Sequence, residues 1–155
     1  MAEELYDVDF PNLRALGFQR TSEPAYYNCI ALVAGDFKRK WWPGEYHPFM
    51  SPDYWPPGVP NEETLAAFTQ ALAAVGYEPC EDGSLEAGFE KAALYALGEE
   101  MKHAALQQED GTWISKLASD EDIRHTLAGL EGPTYGKVTG FMKRLRNKRT
   151  AVSAP

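Results

Sequence analysis

Residues 89–118 decide what this chain can fold into. Residues 90–108 are rich in Ala, Leu, Glu and Lys, a composition that suits a long helix. Against that reading stand Gly98 in the middle and Asp110-Gly111 followed by Thr112-Trp113-Ile114, which is a hairpin signature. The turn chemistry favours a meander: strand about 90–97, turn at 98–101, strand about 102–108, the Asp110-Gly111 turn, and strand about 112–117.

The flanking segments are read the same way. Residues 1–24 form an irregular lead-in punctuated by Pro11, Gly17 and Pro24. Asn28 is a good cap residue, an apolar run follows it, and Gly35 is a stop, so a short buried helix with Cys29 in its first turn is expected. Residues 41–60 have no helical or strand period. They hold Trp41, Trp42, Tyr46, Phe49, Tyr54 and Trp55 among prolines, which predicts a long ordered loop, either a lid on the core or the rim of a binding cleft. Asn61 is expected to cap an amphipathic helix through Leu65, Phe68, Leu72 and Val75 that ends at Gly76. Residues 77–80 suit a short strand, Ser119 or Asp120 suits the cap of a short helix through Leu127, and residues 135–146 make a final element.

Composition narrows the function classes. A net charge of −8 argues against binding a phosphate backbone, which needs a basic face. The exception is the C-terminal stretch, where Lys137, Lys143, Arg144, Arg146, Lys148 and Arg149 suggest a solvated helix end or, less simply, a contact for an anion. The first residues are acidic with no apolar signal region, and no run reaches the roughly 20 residues that span a bilayer. A cytoplasmic protein is expected, with Cys29 and Cys80 as thiols. Neither they nor the three histidines have metal-ligand spacing, so no metal or organic cofactor is implied.

The chemistry centres on Cys29. A thiol in the first turn of a helix faces unpaired N–H groups and the positive end of the dipole, which favour thiolate and can serve as an oxyanion hole. His103, at a strand start with small neighbours Ala104 and Ala105, is the first candidate base; His125 is second and His47 third. The bland alternative is an inert buried cysteine beside Ile30 and Leu32, and a histidine satisfied in the core.

Helix-borne Cys29, then His103 opening a strand, then a turn and a strand carrying Ser115, resembles the papain-like NlpC/P60 and CHAP cysteine hydrolases. The resemblance implies a small papain-like α+β fold over residues 1–147, with the Cys-bearing helix on an antiparallel meander, flanking helices, and a disordered tail at 148–155. It implies Cys29 as nucleophile, His103 as base and then acid, and Ser115 as the group orienting the imidazole. Ser115 stands where the superfamily has His, Asn, Gln, Asp or Glu, which points to a weak or degenerate enzyme, with His125 as a substitute partner. Asn28, Trp41, Trp42, Trp55, Lys116 and His125 complete the substrate-facing set.

The chain is also similar, nearly end to end, to an uncharacterised bacterial family through Tyr27-Asn28-Cys29-Ile30-Ala31, Trp41-Trp42-Pro43, His103-Ala104-Ala105, Trp113-Ile114-Ser115-Lys116-Leu117 and Tyr135-Gly136. The expected function is hydrolysis of an amide or isopeptide bond in a peptide or protein substrate. The alternative is a non-catalytic acidic module, of immunity or adaptor kind, that binds a basic protein partner on the same fold.

Overall fold

The computed structural model describes residues 10–20, 27–44, 53–117 and 122–146. Its centre is one seven-stranded antiparallel sheet in the order β1-β6-β5-β4-β3-β7-β2. The strands are β1 (Phe18–Arg20), β2 (Glu78–Cys80), β3 (Phe89–Leu97), β4 (Glu100–Gln107), β5 (Trp113–Lys116), β6 (Asp122–His125) and β7 (Lys137–Leu145). Among the described residues the helices are short: α1 (Leu13–Leu16), α2 (Cys29–Ala34) and α3 (Leu65–Ala73), with one 3-10 turn at Ala128–Leu130. The expected papain-like α+β fold is therefore corrected to a predominantly β architecture.

The helix expected to run through Leu127 is strand β6, and the final element is strand β7. Strand β7 takes its conformation from the remote strands β3 and β2, whereas β6 lies between its neighbour in sequence, β5, and the remote β1. The meander β3–β4–β5 lies where turn chemistry put it. Gly98 and Gly111 supply the positive φ at its two turns, and the Asp110 carboxylate accepts from both the backbone N–H and the hydroxyl of Thr112.

Strand β3 shows why Ala-rich sequence can be strand. Successive residues point to opposite faces, and here both faces are covered. Ala92 and Leu94 enter a core built with α2, α3, Trp41, Met101, Ala104 and Met142; Ala93 and Tyr95 enter a second core with Phe10, Leu13, Ala105, Trp113, Ile123 and Leu130. Burial on two sides outweighs the few tenths of a kcal/mol per residue by which propensity favours helix.

Helix α2 is capped as its sequence promises. Asn28 Oδ1 accepts from Ala31 N–H, and Gly35 closes the other end in the left-handed region. Helix α3 is capped by Thr64, not Asn61; the Asn61 amide instead donates to the Gly44 carbonyl. The C-terminal ends of both helices meet one side chain. Arg144 of β7 donates to the carbonyls of Val33, Ala34 and Val75, lies over the Tyr77 ring, and is held by Glu90 at 2.6 Å. Its guanidinium thus satisfies carbonyls that two helices leave unpaired and places positive charge at both negative dipole ends. Lys143 pairs with Glu86 and Arg146 with Glu90. The described part of the basic stretch is a strand and not a solvated helix end, with Lys143, Arg144 and Arg146 ion-paired to carboxylates of the fold; Lys148 and Arg149 lie outside the described residues.

Candidate functional site

Strand alternation separates the two residues in which catalysis was expected. Cys29 lies in the first core with Met101 and Ala104, on one face of β4. His103, the residue before Ala104, points through the other face. There it stacks on Tyr135 with ring centroids 4.0 Å apart and planes 5° from parallel, and it meets the edge of Tyr95. The sheet lies between thiol and imidazole.

Each group is also held in its neutral form. Cys29 is 6% exposed, and burial pushes its thiol up to about 11, outweighing backbone hydrogen bonds from Ala104 and Ile30 that act the other way. His103 has no exposed surface, and among the described residues neither ring nitrogen has a partner. Burial, with a smaller contribution from His125, holds its pKa well below the usual histidine value.

Ser115 and His125 are brought together on the second face. The Ser115 hydroxyl lies 2.6 Å from His125 Nε2, and His125 Nδ1 lies 2.7 Å from the Thr126 carbonyl. A carbonyl only accepts, so Nδ1 carries the proton and the hydroxyl donates to Nε2. Burial drives His125 down to about 4. This is the hydrogen-bond order of a serine–histidine pair, but Ser115 has no exposed surface. Lys116, on the opposite face, is fully buried. Its ammonium sits 4.8 Å over the Tyr27 ring and 3.9 Å from Asp122, to which the Tyr27 hydroxyl donates.

The remaining substrate-facing candidates hold the fold together. Asn28 exchanges hydrogen bonds with the backbone of Trp41 in both directions. Trp41 donates its indole N–H to Asp36. Trp42 and Trp55 pack edge-on against Phe68 of α3 with centroids 5.0 and 4.9 Å away, so this part of the aromatic loop fastens onto the core. His47 lies outside the described residues. Among the described residues no group of three His, Cys, Asp or Glu side chains could hold a metal ion.

The feature that sequence reasoning missed lies at one end of the sheet. A groove of about 850 Å³ opens between the C-terminal ends of α2 and α3 and the ends of β3 and β7. Phe37, 55% exposed, and Leu145, 72% exposed, line it together with apolar residues that include Leu32, Val75, Phe89 and Leu106, while Glu90, Arg144 and Arg146 supply ion-paired groups. Its only signal in the sequence is apolar residues stranded among charged ones, Phe37 between Asp36 and Lys38, and Leu145 between Arg144 and Arg146.

A family model described as Domain of unknown function (DUF7689) matches residues 19–143, from β1 to β7. The chain belongs to the DUF7689 family. No curated protein and no solved structure matches it. The matched span reaches every strand of the sheet but leaves out Phe10 and Leu13 of the second core, while the resemblance to papain-like hydrolases finds no support in these comparisons.

Proposed function

We propose that this DUF7689 chain is a non-catalytic protein-binding module that engages its partner through the groove at the ends of α2 and α3. The observation that carries this reading is the exposure of Phe37 and Leu145 along one ion-paired depression. Large apolar side chains left in water beside a preformed concavity mark interaction surfaces. The ion pairs of Glu90 with Arg144 and Arg146 pre-organise the groove, so a partner orders little on binding. Burying the exposed parts of these two side chains is worth about 2–4 kcal/mol before the cost of association, which suits a weak, reversible complex. A thiol hydrolase is the less favoured reading because Cys29 and His103 face different cores.

Two measurements test this. Peptides selected from a display library should bind the wild-type chain and lose at least about tenfold in affinity to the Phe37→Ser/Leu145→Ser double variant, a loss of the size expected for two apolar anchors. Peptides unaffected by the double variant sink the reading. In the native protein at pH 7.5, iodoacetamide should modify Cys80 before Cys29, at rates unchanged by His103→Ala. Rapid labelling of Cys29 that slows in His103→Ala would restore the hydrolase.

A further inference from the structure

We propose that the folded chain joins Lys116 to Asp122 by an isopeptide bond between their side chains. Lys116 ends β5, Asp122 opens β6, and the two are register partners across one hairpin. The lysine side chain has no exposed surface, and its Nζ lies 3.9 Å from Asp122 Oδ1. Among the described residues that nitrogen has no hydrogen-bond partner. Lys91, also buried, shows the ordinary arrangement: its ammonium donates to the carbonyl and the carboxylate of Asp82 at 3.0 and 3.3 Å. An ammonium held out of water with no acceptor for its three donors is costly as an ion. Condensation with the facing carboxyl removes both charges and leaves a single N–H.

The group that would assist the reaction is also in place. The Tyr27 hydroxyl donates to Asp122 Oδ2 at 2.7 Å, and the ammonium sits 4.8 Å over the same ring. Tyr27 is fixed from two sides. It precedes Asn28, whose side chain is bonded both ways to the Trp41 backbone, and its ring meets Phe37 edge-on with centroids 5.1 Å apart. One residue thus polarises the carboxyl and covers the amine.

The step balances without a co-reactant. One proton passes from Nζ to Oδ1, leaving an amine and a carboxylic acid. The Nζ lone pair adds to Cγ, and the charge that develops on Oδ2 is held by the Tyr27 O–H. A second proton moves from Nζ to the Oδ1 hydroxyl, the Cγ–Oδ1 bond breaks, and water leaves as the Oδ2 carbonyl re-forms. Nζ must first approach Oδ1 by about 1 Å to reach hydrogen-bond distance, a small movement for a flexible four-carbon stem. Groups held in reacting geometry reach effective molarities of about 10⁵–10⁸ M, and burial keeps out the water that would reverse the condensation.

The test is mass spectrometry of the full chain, denatured and digested with trypsin, which does not cut after an acylated lysine. The expected product is one peptide of residues 103–124, uncut at Lys116 and lighter by one water, with fragmentation placing the loss between Lys116 and Asp122. Lys116→Arg keeps the charge without the nucleophile, and its peptide should be cut and of full mass. In Asp122→Asn the leaving group is ammonia, so the peptide should stay uncut and lose one ammonia instead. Tyr27→Phe should slow the loss at least about tenfold in a time course after refolding. Unchanged near-ultraviolet circular dichroism shows that each variant is folded. Full-mass peptides 103–116 and 117–124 from the wild-type chain after a week at pH 7.5 overturn the proposal and leave an ordinary ion pair. A water lost equally in Lys116→Arg belongs to a succinimide elsewhere, as at Asp110-Gly111, and overturns it as well.

Discussion

Burial decides the protonation of Cys29, His103 and His125, the groups on which chemistry was expected to turn. A thiol in the first turn of a helix is drawn toward thiolate by the N–H groups it faces, and an apolar shell draws it back. At Cys29 the shell wins. The same holds for the two imidazoles of the second core, and there it has a consequence in solution. Histidine in an unfolded chain titrates near 6.5, whereas folding lowers His125 to about 4 and places His103 well below its usual value. Below about pH 6.5 the unfolded chain binds more protons than the folded one. Stability is therefore fully present above that pH and falls as pH drops through it, by up to about 1.4 kcal/mol per pH unit for each histidine. Urea midpoints between pH 4.5 and 7.5 should show this decline. His103→Phe keeps a ring on Tyr135, removes two orphaned nitrogens, and should reduce the slope while leaving stability at pH 7.5 equal or higher by about 1 kcal/mol. A loss of stability at pH 7.5 would mean that the nitrogens of His103 are in use.

At the scale of elements, what sequence discloses depends on how far away the partner lies. Strands β3, β4 and β5 are joined by turns with local chemistry, Gly98 and Asp110-Gly111, and their places can be read from those residues. Strands β6 and β7 cannot be read that way. Arg144 is a strand residue because Glu90, far away in sequence, lies opposite it in register, and Arg124 is held between Ile114 of the preceding strand and the distant Gln19. Gly136 marks where β7 joins the sheet. It has φ +77°, and a Cβ there would lie 2.0 Å from the Ala96 carbonyl oxygen. Gly136→Ala should therefore cost at least about 3 kcal/mol in a denaturant titration, or abolish folding, while Gly140→Ala, with open space at its Cβ, should cost less than about 1 kcal/mol. Equal losses would refute the close approach. Arg144→Lys keeps the charge but loses the fork that reaches both helix ends. A loss of about 2–4 kcal/mol is expected, and a change under about 0.5 kcal/mol would show that the caps are dispensable.

The candidate surface belongs to the whole molecule, which is why the sequence hid it. Phe37 follows α2, Leu106 lies in β4 and Leu145 in β7; only the completed sheet sets them around one groove. Cys29 and His103 failed as a pair for a related reason. Reading the order helix, strand, strand is possible from residues alone, but the side of the sheet on which each residue stands is fixed by the register of β4 against β3. The same sheet has one thin join. Strands β4 and β5 share only two register pairs, Leu106–Ile114 and Gln107–Trp113, whereas β3 is paired along nearly its whole length with β4 and β7. Breaking that join would leave β4, β3, β7 and β2 paired and let β5, β6 and β1 swing away as a flap. Amide exchange should accordingly show two tiers: slow, cooperative protection in β3, β4 and β7, and a faster common opening of β5 and β6, which also parts the second core where Trp113 and Ile123 pack with Ala93, Tyr95 and Ala105.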